Sequence, residues 1–452
     1  MEALLQYYRC PERFARFAVP EMCGGRSGYF CLGADRVYGS CLGEVASCSG
    51  EESYDALADT VLHPGMPRLS FDPVQIIDNL RFERYADSGH RGRIKTALDN
   101  AYYSVRPLLH LSIRKQIQKA YLNNWRKLAF PRWPVDCTVD RVLATLLLLS
   151  LKTHAVERVP FIWFWPEGAS SCTIMTHDVE TAAGRDYCST LMDIDDAFGI
   201  KASFQVVPEK RYSMSDAFLD SLRERGFEIN IQDLNHDGHL FRSREEFLTR
   251  AASINAHGRR LGVSGFRSAV LYRQQEWYNA LEFSYDMSVP NVAHLDPQRG
   301  GCCTVMPYFV GNILELPVTT TQDYTLFHIL NDYTLDLWNR QMQLITERNG
   351  LISFIVHPDY IREPRARRTY EALLSQLNVF RDSGSTWVAK PGEVNSWWRQ
   401  RMQMRLVEDG KNLRIEGAGC ERARIAFAYE RAGQLAFQLE DNRTKMSVPQ
   451  YA

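Results

Sequence analysis

Apolar residues in the central half of the chain fall into short runs separated by longer amphipathic stretches. Strands are predicted over 172–178, 201–207, 227–232, 265–270, 285–289, 313–318, 351–357 and 386–389. Helical spacing fills the intervals at 184–198, 215–225, 243–260, 274–282, 332–348 and 367–382, and Gly199, Gly226 and Gly262 stand where helices should stop. Short strands alternating with helices of this length form a parallel sheet with helices packed outside it. The rhythm breaks over 290–325. There Gly300 and Gly301 separate Cys- and aromatic-rich runs and suggest a hairpin inserted near one end of the sheet.

The flanks follow other patterns. Up to about residue 75 the chain is rich in Gly, Cys and Ser and reads as short strands and turns. From Phe71 to Lys152 the spacing turns helical, with a break at Phe130–Pro134. Beyond Trp398 apolar and polar residues alternate with period two around glycine turns, the pattern of a small antiparallel unit. The expected organisation is an N-terminal, mostly helical region over 1–165, an α/β unit over 166–400 and a small β unit over 401–452.

Composition narrows the class without choosing a function. At 45% hydrophobic and 24% charged residues the chain is an ordinary globular one, and a net charge of -1 gives no case for nucleic acid. The longest apolar run, Val142–Leu149, is far short of the roughly 20 residues a membrane span needs. The opening residues lack the basic-then-apolar order of a secretory signal. Eleven cysteines without a Cys-x-x-Cys pair fit reduced thiols, so a cytoplasmic protein is expected. Between residues 106 and 132 the basic side chains Arg106, Arg114, Lys115, Lys119, Arg126, Lys127 and Arg132 occur without an acid and are interleaved with apolar residues. Such a stretch either lies on an anionic membrane or glycan or is a helix whose basic face is simply solvated.

The chemistry gathers at strand ends. The first run ends in His177, Asp178, Val179 and Glu180. The run 227–232 ends in Gln232 and leads into Asp233, Asn235, His236, Asp237 and His239. The run 265–270 carries Arg267, and the most apolar run ends in His357. Residues just past the C-terminal ends of parallel strands converge on one mouth. Carboxylates and imidazoles there are the parts of a metal-assisted hydrolase. Asp178 can take a proton from water. His236 is the kind of loop histidine that ligates a divalent ion, with Glu180 and His239 near it in sequence. Arg267 can orient a carboxylate, and His357 can act as an acid.

In order and spacing these residues resemble the polysaccharide deacetylases, the NodB-homology carbohydrate esterases, over about residues 165–400. The Thr-Phe-Asp-Asp motif of that family falls on Thr176–Glu180, its His-x-x-x-His motif on Gln232–His236, its third-motif Arg on Arg267 and its fifth-motif His on His357. The fourth motif is placed at Tyr285–Asp286. The resemblance implies a distorted, TIM-barrel-like (β/α) barrel of about seven strands. It further implies a hydrolase that removes an N-acetyl or related acyl group from an amino sugar in a glycan or glycan precursor. Asp178 would be the base, Arg267 its orienter and His357 the general acid. His236 would hold a divalent ion, zinc by analogy, with Glu180, Gln232 and His239 as the remaining candidates. Two departures stand out: Val179 replaces the second Asp, and Gln232 replaces the first His. An amide oxygen is a far weaker ligand than imidazole. The alternative is therefore a weakened or inactive relative that binds glycan or scaffolds a biosynthetic complex. A ureide or formamide hydrolase on a similar barrel is the rival among enzymes.

Overall fold

A computed structural model describes residues 1–20, 26–86, 122, 124–409 and 412–440. Most of the basic stretch, from Arg106 to Lys119, lies outside the described residues. The N-terminal side contains α1 (Glu2–Tyr8), a hairpin of β1 (Gly28–Leu32) and β2 (Asp35–Gly39), and a second hairpin of β3 (Val61–His63) and β4 (Met66–Arg68). These are followed by α2 (Pro73–Arg81), α3 (Thr138–Thr153) and β5 (Arg158–Ile162). Helix α2 starts where Asp72 accepts from the amides of Val74 and Gln75 with Pro73 at the first helical position, a cap and a pre-set φ acting together.

The central unit runs β6 (Ser171–Val179), α4 (Ala182–Ala197), β7 (Ser203–Val206), α5 (Asp216–Glu224), β8 (Glu228–Gln232), α6 (Arg244–Leu261), β9 (Gly265–Arg267) and β10 (Tyr285–Asp286). It continues with β11 (Tyr308–Val310), β12 (Ile313–Glu315), α7 (Asp336–Thr346), β13 (Leu351–Val356), α8 (Pro358–Ile361), α9 (Pro364–Asp382), β14 (Thr386–Ala389) and α10 (Pro391–Gln403). The strands form one sheet in the order β11-β12-β10-β9-β8-β7-β6-β13, with β14 also on β6. Every pairing is parallel except β11 with β12. Strand β6 is held on both sides along its length. Strand β13 covers one edge, while β14 and then β7 share the other. All nine of its residues are buried, which explains the unbroken apolar reading of its first half.

The sheet curls into a distorted half-barrel, and the segment after β12 is tied to β13 by a backbone bond from Thr320 N to Ser353 O at 3.3 Å and by two threonine side chains. Beyond β12, Thr319 Oγ1 donates to Leu351 O at 2.8 Å and accepts from Ser353 N at 2.9 Å. Thr320 Oγ1 donates to Ser353 O at 2.7 Å. The expected hairpin is real, but its turn is at Gly311–Asn312, between β11 and β12. Gly300 and Gly301, at φ 127° and 136°, occupy a loop instead. That loop is gripped by the N-terminal side: Gly301 N donates to Glu83, Tyr85 Oη donates to Gly301 O at 2.6 Å, and Glu83 pairs with the buried Arg273.

The chain ends in the antiparallel pairs β15 (Arg405–Asp409) with β16 (Asn412–Glu416) and β17 (Ile425–Arg431) with β18 (Gln434–Leu439). Strand β17 also pairs with β5, so one three-stranded sheet joins the segment before the barrel to the segment after it. The core follows this division. One apolar cluster joins the N-terminal elements to Trp397 and Trp398 of α10 and to β17, a second lies between the barrel strands and their helices, and a small third one is formed by Leu271, Val318 and Ile355.

Arg401 fastens the two flanks. It is fully buried and donates to the carbonyls of Ile162 (2.7 Å), Tyr7 (2.8 Å), Trp163 (2.9 Å) and Gln6 (3.3 Å). Burial, with Arg9 nearby, lowers its pKa to about 9. Arg401→Met fills the space but leaves buried carbonyls without donors. Urea unfolding of this variant is expected to show a loss of about 3–5 kcal/mol. A loss under about 1 kcal/mol would mean that water or the backbone takes over those acceptors.

Candidate active site

Alternation along β6 puts Thr176 and Asp178 on the inner face and His177 on the outer one. The structure agrees: His177 Nε2 lies 2.8 Å from Asp195 of α4, while Asp178 meets Arg267. Arg267 is fully buried. It donates from Nη1 to Asp178 Oδ1 at 2.6 Å and to Thr176 Oγ1 at 2.7 Å, and from Nε to Met287 O at 3.0 Å. Three acceptors fix the guanidinium, and the guanidinium fixes the carboxylate.

Glu180 lies just past β6, where Arg211 Nε donates to its carbonyl and Tyr212 Oη donates to Val179 O, each at 2.8 Å. Its Oε1 is the hub of the site. It is 2.7 Å from His236 Nε2, 3.5 Å from His357 Nε2 and 3.4 Å from the Gln232 amide nitrogen. The same amide donates to Asp178 Oδ2 at 3.0 Å, so Gln232 bridges the two carboxylates. The loop after β8 turns through positive φ at Asp233 (55°) and His236 (54°), uncommon backbone for such residues, and this brings His236 back over the mouth.

His357 stands at the end of β13. Asp323, past β12, accepts from its Nδ1 at 2.6 Å and from its backbone amide at 2.7 Å. Because a carboxylate only accepts, the proton is on Nδ1, and Nε2 is left facing Glu180. The Tyr360 ring lies 5.0 Å from the imidazole. The electrostatics follow these pairings. Burial would lower the His357 pKa, but the Asp323 and Glu180 carboxylates raise it well above the usual histidine value. Burial would raise Glu180, and His236, followed by His357, pulls it well below the carboxylate range. His236 is likewise raised, since Glu180 outweighs its desolvation.

The residues singled out from the sequence thus fall into two groups. Asp178, Glu180, Gln232, His236, Arg267 and His357 meet at one mouth. His239 does not join them: it is partly exposed, with Nδ1 3.7 Å from Asp237. Among the described residues, Asp178, Glu180 and His357 have ligand-type atoms within 4.8 Å of one another. Asp286, the expected fourth-motif residue, is buried and takes two bonds from Ser288, and it is Asp323 that holds His357. The sequence reading missed Asp323. The available signal was its position, an acid a few residues past a predicted strand end.

No protein-family profile and no curated protein matches the chain. Solved structures do. The chain is similar to polysaccharide deacetylases. One from Mycobacterium smegmatis, assigned to that class, has 14% identity and a TM-score of 0.43, over 56% of this chain and 98% of its own. Peptidoglycan deacetylase PdaC from Bacillus subtilis has 10% identity and a TM-score of 0.33, over 51% and 93%. Puue allantoinase has 12% identity and a TM-score of 0.39, over 52% and 92%.

Proposed function

We propose that this protein is a metal-assisted hydrolase that removes an acyl group from the nitrogen of an amino sugar in a glycan or glycan precursor. The observation that carries the reading is the pairing of Asp178 with the buried Arg267 in the same mouth as His357, which Asp323 holds. One carboxylate is oriented by a fixed guanidinium. One imidazole, its pKa raised by the Asp323 and Glu180 carboxylates against the effect of burial, keeps a proton on Nε2, the nitrogen turned to the same space. That is a base and an acid facing one reacting centre.

The donor set fits one divalent ion. The buried His236 Nε2 has no aligned hydrogen bond although Glu180 Oε1 is 2.7 Å away, and the buried Gln232 Oε1 has no partner. Glu180 and His236 would be the first ligands, and the Gln232 oxygen would join them only with its amide turned over, since its nitrogen is the end that faces Glu180. A bound ion supplies an acidified water and steadies negative charge on oxygen. The chain's own residues do the rest. Asp178 accepts the proton of the attacking water, Arg267 prevents that carboxylate from turning away, and His357 delivers a proton to the departing nitrogen. Measuring amine release from N-acetylated amino sugars, with and without added Zn2+, tests the reading. Release that no divalent ion supports would overturn it.

Gln232 also favours the second reading, a weakened relative, because its amide nitrogen rather than a ligand faces both carboxylates. Gln232→His separates the two. The imidazole is expected to raise Zn2+ affinity at least about tenfold, roughly 1.4 kcal/mol, in calorimetric titration. Unchanged affinity would mean that the position does not face the ion, and a variant that binds Zn2+ while the wild type does not would favour the weakened relative.

A further inference from the structure

Beside Arg267 lies a buried pair of acids that the reaction does not use directly. Asp286 of β10 and Glu315 of β12 stand opposite each other in the parallel register, and both are fully buried. Their carboxyls are hydrogen-bonded to one another. Two carboxylates can only accept, so this contact requires a proton between them. Two full charges side by side in a dry interior are also strongly disfavoured. The surrounding donors decide which acid carries the proton. Asp286 accepts from Ser288 N at 3.0 Å and from Ser288 Oγ at 2.7 Å, bonds that favour its ionised form. Glu315 accepts from Val289 N at 3.0 Å on Oε1, and its buried Oε2 accepts from no donor among the described residues, which is the place of a carboxyl hydrogen.

The pair is tied to Arg267 in two ways. The first is a chain of hydrogen bonds. Ser288 Oγ, while donating to Asp286, accepts from Ser268 N at 2.8 Å, so the chain runs from Glu315 through Asp286 and Ser288 to the residue after Arg267. Arg267 itself donates from Nε to Met287 O, which lies between Asp286 and Ser288 in sequence. The second tie is charge. Burial raises both acids. The bonds to Asp286 and the charge of Arg267 pull Asp286 back, whereas Asp286 raises Glu315 further, well above the carboxylate range. The other titratable neighbours, Tyr278, Tyr308 and Cys302, are pushed up by burial and stay neutral.

We propose that Asp286 and Glu315 share one proton and serve as a positioning pair for Arg267, and through it for Asp178. This rests on the hydrolase reading and deepens it by adding residues that hold the base's partner from behind. One shared proton leaves the pair a single negative charge, which helps to keep the guanidinium in the interior. Losing that proton would set two charges in competition with Asp178 for Arg267, and removing the pair would release the end of β9.

Infrared difference spectra between the wild type and Glu315→Gln at neutral pH read the proton directly. A protonated-carboxyl band that shifts in D2O is expected in the wild type and is expected to be missing from the variant. Turnover of N-acetylated amino sugars reads the positioning. Glu315→Met keeps the volume but removes the donor and the acceptor, so kcat is expected to fall at least about tenfold with KM held within about threefold. Glu315→Gln, whose amide can donate to Asp286 and accept from Val289 N, is expected to recover most of that loss. Asp286→Asn removes the charge, keeps the shape, and gives the same kcat reading should the Glu315→Met protein fail to fold. No such band, or a band that Glu315→Gln leaves in place, overturns the shared proton. Wild-type kcat after Glu315→Met, or equal losses in the two Glu315 variants, overturns the positioning role. The band needs no turnover. A wild type that releases no amine would therefore overturn the hydrolase reading, while the band still upholds or sinks the pair.

Discussion

Asp178→Asn is expected to cut amine release by roughly a hundred- to ten-thousand-fold, the range assigned to a positioned general base. An amide cannot take the proton of the attacking water. Its nitrogen, if turned towards Arg267, would also face a donor 2.6 Å away. The protein is expected to remain folded with a lowered melting temperature. Arg267 keeps Thr176 Oγ1 and Met287 O as acceptors but loses its counter-charge. Turnover within a few-fold of wild type, in a variant whose melting is still cooperative, would take the base role away from Asp178.

His357→Ala is expected to divide substrates by leaving group. A sugar amine leaves poorly unless protonated, so amide hydrolysis should fall by about a hundred-fold or more, while activated aryl acetates, which need no proton, should lose much less. Equal losses on the two would reassign His357 to positioning. The pH profile gives a second view through Asp323. An acid works only while protonated, and the Asp323 carboxylate extends that form of His357 to higher pH, against the effect of burial. Asp323→Asn removes the charge, lowers the pKa of His357, and should move the alkaline limb of kcat/KM to lower pH. A limb that does not move would mean that another group sets it.

Much of this arrangement was readable from residue order, for a physical reason. In a parallel sheet the reactive positions sit at strand ends, and strand ends are marked by the change from apolar to polar residues. Asp178, Arg267 and His357 could therefore be placed without knowing the pairing order. The failures occur where local pattern carries no spatial information. Asp323 lies in 290–325, where alternation stops, and its partner is 34 residues away, just past β13. His236 and His239 look equivalent in sequence, yet positive φ at Asp233 and His236 turns one inward and leaves the other beside Asp237. Gln232 could be recognised as a departure from the family pattern. That its amide would join the two carboxylates could not be foreseen, because rotamer and register decide it.

The pairing of β5 with β17 has a consequence for how the protein is made. The residues that form this ladder, Val159 to Ile162 and Ile425 to Ala428, emerge from a ribosome far apart in time. At about 5–20 residues per second the delay is on the order of tens of seconds. Through that interval the edge of β5 has no mate, and Arg401, which caps carbonyls of Tyr7 and Ile162, has not been synthesised for most of it. The barrel can assemble behind the advancing chain, whereas its girdle closes last. The nascent protein thus carries an open strand edge beside the aromatic residues Phe161, Trp163 and Phe164, the kind of surface that chaperones hold until the final strand arrives.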